Sequence, residues 1–470
     1  MKLAHESMAA SRGHSPLRIA LRLAGAFIAT WVILALYWSA NPHEPSGKEL
    51  LLNGIGVPLL LLIGIAAIRK ALAPTHRPAV ASKTADAHSG AASAVELAAT
   101  TTAVASTALL DASMRLPAGM TVEAVLAQAG DGKVVGLHSK LQRLDGSKAF
   151  AACAASIWHG DFEGGLQALD VDTALSDEQR RAMLLAAETI DELMARHATT
   201  PVEPANDAPS APPFKLRLLL PERWRADAPT IAAWLDRHLQ RGHWRPSVEP
   251  VTTVFAAHGL AALAALDTLN VELAQQRAPI RHILLACDSS LGQRTVDALD
   301  GAGRLFAHNR PDGEVLGEGA CALLLAPSTT ADATAAPQVQ RLATATREAS
   351  NEPQRDTTLA RLLQTAFAQS ARAGLNLNAC ALASDADQRV SHRAEMSDAA
   401  RQTWPDPDAG SGARCRHLGL ANGAGNAALA LATVAAAAAH SAQTQQATFA
   451  VSVSDAWERG ALLVIPPTPL

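Results

Sequence analysis

Two apolar runs without a charged residue open the pattern, over residues 23–40 and 50–68. Each is close to the ~20 residues that cross a hydrocarbon core of ~30 Å. Trp31, Tyr37 and Trp38 lie in the first run, the last two near its end, where aromatic rings favour the membrane interface. The nine residues between the runs hold Pro42 and Pro45. The pattern therefore predicts a helical hairpin that crosses a membrane twice. Asn53, Gly54 and Pro58 weaken the second run but do not charge it.

Beyond residue 77 the pattern changes. Residues 78–108 are mostly Ala, Ser and Thr, with few large apolar groups, and read as a flexible linker. Residues 109–198 read as a small α/β region, with a helix entered at Thr121 and a second over 176–195, acidic at its start. A proline-rich linker follows at 199–213. From Phe214 short apolar runs alternate with helical patterns: strands at 215–220, 251–255, 282–286 and 321–326, helices at 229–241 and 260–273. The alternation returns after 338, with strands at 339–345, 380–384, 449–454 and 462–465 and helices at 359–373 and 424–439. Continuous apolar strands between amphipathic helices imply a sheet covered on both faces. The soluble region is expected to be a layered α/β domain of two related halves, 214–330 and 338–470.

Charge adds an orientation. Lys2, Arg12, Arg18 and Arg22 precede the first run and Arg69, Lys70 and Arg77 follow the second, whereas the connection holds one lysine and two glutamates. The positive-inside rule places both flanks, and the region that follows, in the cytoplasm. A net charge of −4 over 470 residues gives no reason to expect nucleic acid. Five scattered cysteines (Cys153, Cys287, Cys321, Cys380 and Cys415) form neither a disulfide framework nor a CxxC metal pair. No GxSxG elbow, Walker loop or HExxH motif is present. His392, Cys415 and His417 lack a diagnostic metal spacing, and Gly423-Ala424-Gly425-Asn426 lacks a full GxGxxG. No cofactor or metal is expected.

The sharpest local signal is Arg310-Pro311-Asp312-Gly313-Glu314-Val315-Leu316-Gly317-Glu318-Gly319-Ala320, which runs into an apolar strand. Glycines at 313, 317 and 319 permit positive φ or close backbone approach, so Gly313, Gly317, Glu318 and Gly319 read as a structural turn. The segment resembles RPFD…DGFVLGEGAG of the ketoacyl synthases, a thiolase-like family. Phe255-Ala256-Ala257-His258-Gly259-Leu260 is similar to that family's nucleophile turn, ACxSGLxAL. Residues 382–395 lie without gaps on its NAHGT segment, 416–429 on GHxLGAAGAxEAAL, and 452–460 take the place of its last glycine-rich turn.

The resemblance implies a condensing enzyme whose parts are missing here. The family's acyl-bearing cysteine sits at a helix N-terminus, where the macrodipole favours a thiolate. Ala256 occupies that position. Of the two histidines that polarise the carbonyl, the first falls on Ser384 and the second on His417, or on Arg416 if the register slips by one. Asp455-Ala456-Trp457-Glu458-Arg459 replaces a small, glycine-rich turn and is expected to obstruct an oxyanion site. Ala286-Cys287-Asp288-Ser289-Ser290-Leu291 mimics a nucleophile motif, but Cys287 lies 30 positions before Gly317 and Ala256 lies 61 before it. The longer separation resembles the family's.

The whole architecture also resembles the adaptors of type VI secretion that load a phospholipase effector onto the secretion spike. The residues that carry this are Leu116-Pro117-Ala118-Gly119, Leu137-His138, Leu144-Asp145-Gly146 and Leu220-Pro221-Glu222, together with the hairpin. It implies a non-catalytic protein at the bacterial inner membrane, its soluble region in the cytoplasm, with a lipase effector and a spike protein as partners. The family's usual dimer leaves a homodimer open. Two alternatives stand beside it: a condensing enzyme using Cys287, and an acyl-carrier-binding component of lipid or polyketide synthesis.

Overall fold

The computed structural model describes residues 105–467, apart from 131, 159–161, 173, 198–213, 242–248, 277–279, 331–332, 348–355, 371–373, 407–409, 413 and 425. The expected hairpin, the linker up to 104 and the proline-rich connection lie outside the described residues. Among the described residues no helix is long and apolar enough to cross a membrane.

The strands are β1 (Thr107–Arg115), β2 (Gly136–Gln142), β3 (Lys148–Ala151), β4 (Lys215–Leu220), β5 (Thr252–Phe255), β6 (His282–Ser289), β7 (Glu318–Pro327), β8 (Gln338–Val339), β9 (Ala343–Thr346), β10 (Ala381–Ser384), β11 (Cys415–His417), β12 (Thr448–Ser452) and β13 (Glu458–Ile465). The helices are α1 (Val122–Gln128), α2 (Phe162–Ala168), α3 (Asp177–His197), α4 (Ala228–Arg241), α5 (Gly259–Gln275), α6 (Gln293–Gly301), α7 (Thr358–Ala368), α8 (Val390–Thr403), α9 (Gly419–Asn422) and α10 (Asn426–Thr444).

One sheet runs β11-β10-β12-β13-β8-β1-β7-β6-β4-β5, with β9 on β13. Its two ends repeat one pairing scheme. β4 is parallel to β5 and β6, and β6 is antiparallel to β7. β10 is parallel to β11 and β12, and β12 is antiparallel to β13. The repeat extends further back: β1 pairs antiparallel with β7 as β9 does with β13, and a helix (α3 or α7) then leads to β4 or β10.

The first half therefore begins at β1, not at Phe214. Residues 109–198, read from sequence as a region apart, supply a strand in the middle of the sheet and the helix α3 that covers it. The first strand also starts at Thr107, just inside the stretch read as linker. Its sequence hides it. The ends are buried, the middle is half-exposed, and the register shifts between Leu109 and Asp111, so clean two-residue alternation is lost.

Period two explains the layers. Along β6, Ile283 and Leu285 face an outer core with α3 and α4, while Leu284 and Ala286 face the central core. β10, β12 and β13 likewise divide Leu382, Phe449, Val451 and Leu463 from Ala383, Ala450, Leu462 and Val464. The central core holds α10 and one face of α5 between the inner faces of both halves. Helices packed on all sides must be apolar all round, and close approach needs small side chains. The alanine run from Ala427 to Ala438 meets both demands, with each of its alanines fully or almost fully buried.

Candidate functional site

A cleft of about 400 Å³ opens beyond the carboxyl ends of β5, β10 and β12, where open α/β sheets bind their ligands. Ala257 and His258 come from the β5–α5 turn, Asp385, Asp387 and Arg389 from the β10–α8 turn, and Ser454, Asp455 and Ala456 from the β12–β13 turn. Arg304 and Glu314 reach it from the glycine-rich segment.

Ala256 is 1% exposed, belongs to the central core and donates its backbone N–H to Leu220 O at 2.9 Å. Two residues on, His258 caps α5, its Nδ1 accepting from Ala261 N at 3.3 Å. Gly259 follows because nothing larger fits. A Cβ there would lie 2.5 Å from Asp385 Oδ2 and 2.7 Å from Ser452 Oγ. Asp385 is buried, and Oδ2 accepts from Ser452 Oγ at 2.5 Å while Oδ1 accepts from Val453 N at 2.7 Å. Burial raises its pKa, and these donors only partly offset the rise.

Asp387 is buried too, but its balance is opposite. Burial alone would raise it; His392 Nδ1 at 3.1 Å and Arg389 outweigh that and hold it near 2. Arg389 Nε lies 3.0 and 2.9 Å from the two Asp387 oxygens, and Nη2 lies 2.8 Å from Oδ2. Arg304 pairs with Glu314 through a single contact, Nη2 to Oε1. On the third turn, Asp455 Oδ1 accepts from Trp457 N and Glu458 N, each at 2.8 Å. Burial again opposes, but these backbone donors and His258 leave the Asp455 carboxyl below its ordinary pKa.

The positions expected to hold the degenerate chemistry stand behind this lining. Ser384 and His417 end neighbouring strands in register, and Ser384 Oγ and His417 Nδ1 share a hydrogen bond of 2.8 Å. Burial, and then Arg393, lowers the imidazole pKa to about 4. Cys287 is not near them. It faces the outer core under α3 and α4, and burial and then Asp288 push its thiol well above the ordinary range. His392 is spent on Asp387, and among the described residues no group of three or more His, Cys, Asp or Glu converges to hold a metal ion.

Two expectations for the turns change in detail. Gly313, Gly317 and Gly319 do not take positive φ. Each marks a close crossing instead: a Cβ would meet Leu305 O at 2.5 Å, Asn422 O at 2.5 Å and Leu116 Cδ2 at 2.5 Å respectively. Glu318, wholly buried, takes Arg181 Nε at 2.7 Å, Ala154 N at 3.0 Å and Ser289 Oγ at 3.2 Å, which ties β7 to α3. The 455–459 turn does not block the cleft with all its bulk. Arg459 turns inward, 1% exposed, and pairs with Glu395 at 2.6 and 2.9 Å, while Trp457 stands out into solvent. Sequence reading missed Asp385, Asp387, Arg389, Arg304 and Glu314 as a set. Their one signal is that each sits in the turn after an apolar strand or beside the glycine segment.

No family model matches this sequence, and neither does any curated protein. Solved structures do match in fold. The ishigamide ketosynthase/chain length factor aligns over 77% of this chain and 99% of its own, at 14% identity and a TM-score of 0.53. A type II polyketide ketosynthase, solved with its acyl-carrier protein and bound to the hexaketide, covers 77% of this chain and 100% of its own, at 12% and 0.54. An oxazolomycin ketosynthase domain of Streptomyces albus JA3453 covers 77% and 74%, at 12% and 0.52. The fold is thiolase-like, of the ketosynthase kind.

Proposed function

We propose that the protein is a non-catalytic, membrane-tethered adaptor that uses a ketosynthase-like body to bind proteins, loading a phospholipase effector onto the type VI secretion spike. One observation carries the first part: where the resembled enzymes hold their acyl thiol there is a buried alanine, Ala256, and the cleft before it is lined by carboxylates and ion pairs. An acyl thioester has no nucleophile to attack it and would meet charge in place of an apolar tunnel. The imidazole of His417 is engaged by Ser384 and resists protonation, so it makes a poor proton donor near neutral pH.

The second part is supported by the resemblance of the short motifs and by the hairpin pattern at 23–40 and 50–68, whose basic flanks favour a body on the cytoplasmic side of the inner membrane. A neighbouring fold solved with its carrier protein illustrates that this scaffold accepts protein partners. Affinity capture of the full-length chain from its own host tests the adaptor role. Recovery of a phospholipase and a spike protein is the expected result; recovery of an acyl-carrier protein in their place contradicts it.

A further inference from the structure

The two-stranded sheet of β2 and β3 stands apart from the main one. It is firmly seated. Leu141, Ala149 and Ala151 turn inward onto Leu291, Val296 and Leu316, a small core of their own. Gln142 exchanges two hydrogen bonds with the Gln293 side chain at the start of α6, through its N–H at 3.1 Å and its carbonyl at 2.6 Å. Asp300, near the end of α6, accepts from Leu144 N and from Arg143. β3 leads into the glycine-rich segment, where Ala152 N donates to Leu316 O at 2.8 Å.

The outer side of this hairpin breaks the rule of period two. The ladder holds at Gly136 and Leu137 and resumes at Gln142. In between, the His138 imidazole folds back on its own strand, Nδ1 accepting from Lys140 N at 3.2 Å and Leu141 N at 3.0 Å. In a regular strand Leu137 and Leu141 would share a face. The irregularity sends Leu141 into the core and leaves Leu137 61% exposed. Leu137, Leu144 and Ile157 are three of the five large apolar side chains exposed on the described surface, and all belong to this hairpin or the segment that leaves it.

The same strand is basic. Lys148 Nζ reaches across to donate to Ser139 O at 2.7 Å, which sets its charge beside that of Lys140. Among the described residues neither lysine has an ion pair, whereas Arg143 is paired with Asp300 and Asp145. Burial and then Arg181 lower the pKa of His138; Glu318 opposes, and both lysines add to the fall, so the local field is positive. The chain as a whole carries a net charge of −4. A rigid basic ridge with a leucine at its crest suits a concave apolar surface rimmed by carboxylates.

We infer that the β2–β3 hairpin is the docking ridge for a partner protein, with Leu137 entering an apolar pocket and Lys140 and Lys148 meeting carboxylates at its rim. The inference rests on the reading of the chain as an adaptor and names the surface that adaptor uses. It gives a role to Leu137-His138, which the cleft leaves unused.

Capture of the phospholipase and the spike protein of its own host by the full-length chain, repeated with a Leu137→Ser, Lys140→Glu, Lys148→Glu triple variant, tests it. Recovery of one of the two is expected to fall at least about 10-fold in the variant. A Lys140→Arg, Lys148→Arg variant should keep it, since the charge stays. Lys140→Glu alone touches no buried group and should give part of the fall, which keeps the test decisive if the triple variant misfolds. Undiminished recovery of both proteins by the glutamate variants overturns the inference and leaves the adaptor reading standing. Loss of only a second copy of this chain overturns it too. Failure of the wild-type chain to recover either protein overturns both.

Discussion

Asp387 shows how single residues fix the site. Its carboxyl lies near 2 in the folded chain, against 3.8 for the free side chain, because His392 and Arg389 outweigh burial. A depressed carboxyl stabilises the fold at every pH above its unfolded value and loses that contribution as pH falls toward the folded one. The shift corresponds to roughly 2 kcal/mol. Asp387→Asn is therefore expected to lower unfolding free energy by about 2–4 kcal/mol at pH 7, since Arg389 is left without its partner, with a smaller loss near pH 2. Urea unfolding at the two pH values checks both.

Histidines act in a second window. His417 and His282 are both lowered to about 4, chiefly by burial and then by nearby arginines, from an ordinary 6.5. The unfolded chain takes up protons first, so stability should fall as pH drops from 6.5 toward 4. The slope should flatten in a His417→Phe, His282→Phe double variant. An unchanged slope would show that neither ring is held neutral. Of these residue-scale facts, sequence showed Ala256, Ser384 and His417 as positions. It did not show that Asp387 is ion-paired, since that depends on β10 and α8 meeting through a turn.

At the element scale, most helices were legible, the polar α3 among them through its acidic start and spaced apolar residues, but α8 was not. α10 announces itself because it is buried almost all round, and α5 because Leu260, Leu263, Leu266, Leu269 and Leu273 carry one apolar face into the central core while Ala264, Thr268 and Glu272 are exposed. α8 does not, because its inward face includes His392 and Glu395, buried by pairing and not by apolarity. The Arg459–Glu395 pair anchors this helix to β13. Arg459→Met should cost roughly 2–4 kcal/mol by leaving buried Glu395 with only Arg347, 3.7 Å away, and adding Glu395→Met should recover much of it. Thermal unfolding of the three variants measures the coupling. The glycine segment is the converse case: its residues were conspicuous but their reason lay in elements far off in sequence. Gly317→Ala places a methyl 2.5 Å from Asn422 O and should destabilise by about 1–3 kcal/mol.

For the whole molecule, strand alternation after Phe214 was enough to predict a two-half α/β domain, and the solved ketosynthases share that fold. The same evidence placed the first half's start too late. β1 carries a register shift, and α3 reaches its strands across the connection at 198–213, so nothing local links them. The result is a scaffold of ketosynthase-like fold with a cleft at its strand ends lined by carboxylates and guanidiniums.

The central claim is that this scaffold binds without acyl transfer. Intact-mass measurement of the full-length chain after incubation with acyl-CoA and malonyl-CoA tests it most directly. The mass is predicted to stay that of the unmodified chain. A stoichiometric thioester adduct that maps to Cys287 and disappears in Cys287→Ala would contradict the account.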